Sequence, residues 1–384
     1  MADLQFMWSA IYRVFCCCIE MLSIFAGMKR LSFVALCAFL LSVTAEAQVR
    51  KYSNEFLSIG VDARALGMSN AVVASVQDVT AGYWNPAGLV HLRERWEIGL
   101  MHAEYFAGIA NYDYLAGATP IDDQSTFGAS LIRFGVDDIL DTSELIDQDG
   151  NIDYDRINLF SAADYALLLS YARNTNIEGL SVGGNVKLIY RGIGDFADAF
   201  GFGFDLGTQY HTNAWSFAAT LRDATTTFNA WRFNTDKLEE VFIATGNEIP
   251  TDALELTAPR LTLAAGRAFV LGDNFSLYSE IDLVTTFDGR RPTLISSDFA
   301  SIDPSLGLEF GYRDFLFLRM GVGNVQEAID FDDTSYLTFQ PNLGIGFRYQ
   351  NISLDYALTD IGDQSVAVYS NVFSLKLNFA RKQS

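Results

Sequence analysis

Four groups of residues in this chain have types and spacings that could do chemistry. Gly179, Ser181 and Gly183 make a G-x-S-x-G pattern, which activates a serine only on a sharp strand-to-helix turn. Here it opens an alternating segment, so the context for a nucleophile is missing. His91, His102 and His211 are the three histidines; no two have metal or triad spacing, and a lipid-facing Ser–His pair could draw only on His102. Asp147, Asp149, Asn151 and Asp153 alternate oxygen-bearing side chains around Gly150, as calcium loops do, but the closing glutamate is absent and Asp155 stands nearest its place. An acidic, solvated loop is the simpler reading; calcium would stiffen it. Asp62 and Arg64 are opposite charges in a segment of small residues. If buried, they need partners. Pairing with surrounding walls is the plain expectation, and a gate whose pairs open for cargo or ligand is the functional one. Neither a catalytic residue nor a cofactor site emerges.

The elements that hold these residues follow from composition. All four cysteines (Cys16, Cys17, Cys18, Cys37) precede residue 38, which excludes a disulfide framework, a thiolate metal site and a cysteine nucleophile from the rest of the chain. Met28, Lys29 and Arg30 make a charged start, Leu31 to Val43 an apolar run, and Ala45-Glu46-Ala47 an A-x-A site. This is the layout of a secretory signal with translation expected from Met28 and cleavage expected after Ala47. Arg13 and Glu20 interrupt the alternative, a membrane anchor over residues 7–26. Removing residues 1–47 takes away three basic and three acidic side chains, so the net charge stays at −21. A surface this acidic is not built to hold nucleic acid. With 30 Phe, 17 Tyr and 50% hydrophobic residues, but no apolar stretch after the signal long enough for a spanning helix, the composition points to an outer-membrane barrel in contact with lipid.

Alternation of period 2 carries the fold assignment. Phe373, Leu375, Leu377 and Phe379 alternate with polar residues, as do Ile352, Leu354, Tyr356 and Leu358, and Leu343, Ile345, Phe347 and Tyr349. The opposite face holds Gly201, Gly203, Asp205, Lys187, Glu280, Asp282, Glu309, Arg319, Arg348, Asp355 and Lys376. Alternation alone does not separate a soluble sandwich from a barrel with a wet lumen. The connections do. Fourteen strands are expected near 97–105, 111–119, 125–134, 162–172, 180–190, 199–210, 215–222, 260–268, 275–284, 305–312, 315–322, 340–349, 352–360 and 370–379. Connections after even-numbered strands are short, and Gly135–Ser161, Asp223–Pro259, Thr285–Pro304 and Gly323–Phe339 are long, as short periplasmic turns and long outer loops would be. The fold class is therefore all-β: a transmembrane antiparallel barrel of about fourteen strands over residues 97–384. Tyr83, Trp84, Trp96, Tyr105, Tyr112, Tyr114, Trp215 and Tyr349 are candidates for its interfacial girdles.

Residues 48–96 do not alternate. They are expected to form a small N-terminal plug, with a short helix over residues 69–76 and a turn where Asn85 precedes Pro86. This stretch carries a family resemblance. Asp62, Arg64 and Gly67, followed by Asn85, Pro86, Ala87 and Gly88 within Gly60–Leu89, are similar to the PorV/PorQ group of Bacteroidota outer-membrane proteins, related in architecture to the FadL transporters. The resemblance extends through the strand count to Phe379. It implies a FadL-like barrel with an N-terminal hatch in the cell outer membrane, surrounded by lipid. For PorV-like members it also implies a non-enzymatic role in type IX secretion, in which the barrel receives cargo bearing a C-terminal signal domain at the translocon and passes it on. The alternatives are a transporter of small hydrophobic molecules, favoured by a kink or gap in the wall, and a surface adhesion protein using its acidic loops.

Overall fold

The computed structural model describes residues 48–49, 53–92, 96–142, 145, 151–236, 253–329, 335–359 and 369–379. The expected signal segment, residues 1–47, lies outside them, as do Asp147 and Asp149.

Fourteen antiparallel strands close into a barrel. They are β1 (Trp96–Tyr105), β2 (Ala110–Pro120), β3 (Ser125–Asp141), β4 (Asn158–Asn174), β5 (Leu180–Ile193) and β6 (Ala197–Thr212). Next come β7 (Trp215–Arg222, resuming as Thr227–Phe233) and β8 (Ala253–Thr257, resuming as Arg260–Leu271). β9 (Phe275–Thr286), β10 (Ser301–Tyr312), β11 (Leu316–Ile329), β12 (Ser335–Tyr349), β13 (Ile352–Thr359) and β14 (Ser370–Phe379) complete the wall. β14 pairs with β1 from Asn371↔Glu104 to Phe379↔Trp96. Closure removes sheet edges, which is how a sheet satisfies its backbone in lipid. Among the described residues no helix is long and apolar enough to cross a membrane.

The faces separate as the lipid reading requires. On β13, Leu354 is 51% exposed and its neighbour Asp355 3%. Leu343, Phe347, Phe310 and Phe373 point outward, while Lys187, Asp205, Glu280, Asp282, Arg319, Asp355 and Lys376 are buried inside. A soluble sandwich would have the opposite arrangement. On β11 one aromatic, Phe317, turns inward under two guanidiniums, with Arg319 5.3 Å and Arg348 5.0 Å from its ring.

Two expectations about the wall change. The long connections are partly strand. β3 and β4 pair as far as Asp141↔Asn158, and β11 and β12 as far as Ile329↔Ser335. β-bulges between Val136 and Ile139, and between Gly323 and Gln326, shift the register, so alternation loses phase where the strands continue. The aromatics divide. Trp96, Trp215 and Tyr349 face outward, whereas Tyr83, Trp84, Tyr105, Tyr112 and Tyr114 are buried in the interior and belong to no girdle.

Residues 53–92 fill the lumen. They form α1 (Ala63–Gly67), α2 (Ala81–Trp84) and 3-10 turns at Glu55–Leu57 and Pro86–His91. The helix expected over residues 69–76 is absent: Ser69 and Asn70 take φ of 52° and 67°, a left-handed geometry that a right-handed helix cannot continue through. Val61, Met68, Val72, Val76 and Leu89 are fully enclosed. The core of this barrel is thus its plug.

Candidate functional site

Wall and plug meet through three polar clusters. In the first, Lys376 on β14 puts its Nζ 2.7 Å from Asp62 Oδ2 and 2.8 Å from Asp78 Oδ2, both in the plug. Asp355 lies 3.8 Å from the same ammonium and 2.6 Å from Arg319. Arg319 also holds Glu309 at 2.6 Å, and Glu309 accepts from Arg64 at 2.9 Å. The network runs from Asp78 to Arg64 through residues of four wall strands, β14, β13, β11 and β10. Burial, with Asp78 and Asp355 adding to it, lifts Asp62 above its ordinary value against the pull of Lys376. At Asp78 burial also pushes upward, but Lys376 and the Thr80 hydroxyl prevail and hold it below.

In the second cluster β9 carboxylates grip plug backbone. Asp282 Oδ2 accepts from the amides of Val72 (3.2 Å) and Val73 (3.1 Å), and Glu280 Oε1 from Ala74 (2.5 Å). The amides of Val73 and Ala74 are open to the wall because residues 69–76 are not helical, and that of Val72 is shared with Asn70 O at 3.0 Å. In the third, Arg222 donates to the carbonyls of Tyr83 (2.8 Å) and Leu57 (3.2 Å) and lies 4.6 Å from the Tyr83 ring centre. Asn185 donates to Gly82 O at 2.8 Å, and Lys187 joins Asp205 at 2.8 Å with Asp223 on its other side.

Of the residues singled out in sequence, Asp62 and Arg64 both meet wall charges. Asn85 is fully buried; its Nδ2 donates to Val73 O (3.1 Å) and Thr208 O (3.0 Å) while its Oδ1 caps Ala87 N (3.2 Å). Pro86 and Ala87 lie against β5 at Gly183, where an added Cβ would stand 2.5 Å from Pro86 C. Gly67 backs onto Gly344 of β12, and Gly88 faces Val76 O. Ser181 opens a strand, not a helix, and is buried. Asp153 caps Asp155 N at 3.1 Å and pairs with Arg156 at 3.3 Å; Asn151 and Asp155 are exposed. No group of three or more metal-ligating side chains exists among the described residues. His102 faces outward against Asp113 at 2.7 Å. His91 and His211, far apart in sequence, meet edge-to-face at 4.8 Å, with Ser216 2.9 Å from His211 Nδ1. Sequence reasoning missed Asp78, Arg222, Asn185 and Gln209, whose Nε2 donates to Val73 O and Val76 O at 3.0 Å each. A polar residue on a small-residue face was the available signal for the wall members.

On the outer side of the plug, away from the short turns, a cavity of about 450 Å³ lies between residues 55–70 and β8–β12. Its walls carry Glu55, Asn70, Arg260, Arg291, Asp303 and Asn342 beside the apolar Ile59, Val284 and Pro292.

A closed fourteen-stranded barrel with a lipid-facing apolar wall, a charged lumen and a plug seated in it is an outer-membrane protein of the FadL-like kind. Solved structures agree on the fold. The Pseudomonas putida toluene transporter TodX is 14% identical over 83% of this chain and 98% of that one, with a TM-score of 0.52. The monoaromatic hydrocarbon channel CymD (13%, 84% and 98%, TM-score 0.50) and a Pseudomonas aeruginosa FadL homologue (14%, 83% and 98%, TM-score 0.50) are similar. No curated protein matches in sequence. The family profile described as type IX secretion system protein PorV matches residues 42–252, more than half of the chain. The chain belongs to the PorV family.

Proposed function

We propose that this barrel is a non-enzymatic component of type IX secretion that binds secreted cargo through its C-terminal signal domain at the cell surface, after export directed by residues 1–47. The PorV family match over residues 42–252 carries the reading. Two structural features support it. The strand pairs β3–β4 and β11–β12 continue beyond their bulges at the end opposite the short turns, providing a raised rim for a protein partner. The lumen is occupied by a plug tied to the wall by buried ion pairs, so the working surface is external. The plug motif Asp62, Arg64, Gly67, Asn85, Pro86, Ala87 and Gly88 acts in this reading as structure that seals the barrel.

A second reading, transport of small hydrophobic molecules, draws on one observation. β7 breaks at Asp223–Thr226, where Asp223 and Thr226 take φ of 53° and 61°, and the adjacent β8 breaks at Ala258 and Pro259. Paired breaks make an irregular place in the wall, and the fold neighbours TodX and CymD are a toluene transporter and a monoaromatic hydrocarbon channel. The buried ion pairs of Lys187 with Asp205 and Asp223 behind that wall favour the secretion reading, because an apolar solute gains nothing from them.

The test is a pull-down of the protein from native outer membrane in mild detergent, with mass spectrometry of what accompanies it. Recovery of a large translocon barrel, or of secreted proteins sharing a C-terminal signal domain, is the expected result. The barrel alone with bound lipid or fatty acid would favour the transporter instead.

A further inference from the structure

We infer that Arg267 and Ser279, paired on the lipid-facing side of β8 and β9, bind the phosphate group of a membrane phospholipid at the end of the barrel that carries the short turns. The inference rests on the placement of the wall in lipid and not on the cargo-binding reading.

Arg267 carries an unmatched charge on an apolar face. Leu263, on the same outward side of β8, is 47% exposed, and Arg267 is exposed beyond it. Arg133 also points outward, from β3, but Asp137 at 3.1 Å and Asp113 at 3.6 Å match it. Among the described residues Arg267 meets no carboxylate; its Cζ instead lies 4.9 Å from the ring centre of Trp215 and 4.9 Å from that of Phe269. Ring contact uses the charge of a guanidinium but none of its five N–H donors.

The depth suits a headgroup. Arg267 precedes Leu271, the last residue of β8, by four positions. At a rise of about 3.3 Å per residue and a tilt of roughly 40°, it stands about 10 Å above the turn. Trp215 opens β7 directly beside it, and tryptophan favours the level where headgroups begin. The opposite charge available at that level is the phosphate of the lipid itself. Ser279 supplies a second donor. It is the β9 partner of Arg267 in the ladder and shares the outward face, since its neighbour Glu280 is buried and Ile281 is 45% exposed. Its hydroxyl is uncommitted among the described residues, and side chains so opposed start about 4.5–5.5 Å apart at Cβ. A guanidinium fork can take both unesterified oxygens of a phosphodiester, while the hydroxyl donates to one of them.

Native mass spectrometry of the full protein, solubilised and delipidated in detergent, reads the site. Phosphatidylglycerol should bind, and diacylglycerol of the same chains, which lacks the phosphate, should bind at least about tenfold more weakly, the loss expected when charge-assisted hydrogen bonds are removed. Arg267→Gln should abolish that preference, and Ser279→Ala should reduce it less. Arg133→Gln, which removes a cation already neutralised, should keep it. Equal binding of the two lipids by the wild type would overturn the assignment without reference to any variant. So would a preference that survives Arg267→Gln, or one lost equally in Arg133→Gln. Displacement of the lipid by inorganic phosphate at equal concentration would overturn the lipid as the source of the phosphate.

Discussion

Lys376, eight residues from the end of the chain, and Asp62, at the entrance to α1, are joined at 2.7 Å across 314 positions of sequence. That contact fastens the last strand to the plug. The same ammonium serves Asp78 and lies near Asp355, so one cation holds three carboxylates in a place almost without solvent.

Lys376→Met removes the cation and leaves those carboxylates facing one another. Stripping one partner from a buried network costs about 3–5 kcal/mol. The expected outcome is a large loss of stability in urea titrations followed by the gel mobility of folded and unfolded barrel. Combining it with Asp62→Asn and Asp78→Asn, which remove the charges that Lys376 neutralised, should recover part of the loss. If the triple variant is less stable than Lys376→Met alone, the ion pairs do not hold the plug.

The two plug carboxylates on Lys376 titrate with opposite sign. Asp78 is depressed, because Lys376 and Thr80 outweigh burial; its stabilisation is complete above the unfolded value near ~3.9 and is lost as pH falls through its lower folded value. Asp62 is raised by burial and its acidic neighbours; its contribution favours the protonated form and is lost as pH rises through the raised value. Plug protection against added protease should therefore peak on the acidic side of neutrality. Asp78→Asn should flatten the acid limb and Asp62→Asn the decline toward neutral pH. Identical profiles for the two variants would contradict this division.

Much of the barrel was legible because its wall obeys one rule. Where a strand has lipid on one side and lumen on the other, as Ile352–Leu358 has, period 2 is written into the residues. The rule fails where the register shifts: past the bulge between Val136 and Ile139 the strands pair on to Asp141↔Asn158 with the alternation out of phase. Residues 53–92 were legible only as a segment that does not alternate. A plug with wall on every side needs no face, so its small residues show close contact but not direction. Asp62 and Arg64 could be identified as charges needing partners, yet Lys376 and Glu309 as those partners depended on ring closure, which no local pattern encodes. Tyr112 and Tyr114 fit a girdle by sequence and a lumen by structure because aromatics suit both a membrane interface and a tight lumen.

Wall glycines admit the plug backbone. At Gly183 a Cβ would lie 2.5 Å from Pro86 C and 2.6 Å from Ala87 N, whereas at Gly117 nothing stands within 4 Å. Gly183→Val should displace the Pro86–His91 turn and raise permeability, read as single-channel conductance in planar bilayers. Gly117→Val, a change of the same size on β2, should behave like the wild type. Equal conductance from both variants would show that the plug does not seal the lumen there.

Asn85 offers a test in which charge and hydrogen bonding separate. Its amide nitrogen donates to the carbonyls of Val73 and Thr208, and its Oδ1 accepts from Ala87. Asn85→Ala loses all three bonds, each contributing about 0.5–1.5 kcal/mol, although Val73 O keeps the Nε2 of Gln209 at 3.0 Å. Asn85→Asp keeps the acceptor for Ala87 but turns a carboxylate oxygen toward the same two carbonyls, with no cation bonded to it. Repulsion then adds to the lost bonds, unless the carboxyl takes up a proton and restores a donor. Asp should therefore be the more damaging substitution at neutral pH, and the gap between the variants should close on acidification. Urea midpoints at two pH values measure both statements. An Asp variant as stable as wild type at neutral pH would mean that the amide donor, the one atom distinguishing the two side chains here, contributes nothing to seating the plug.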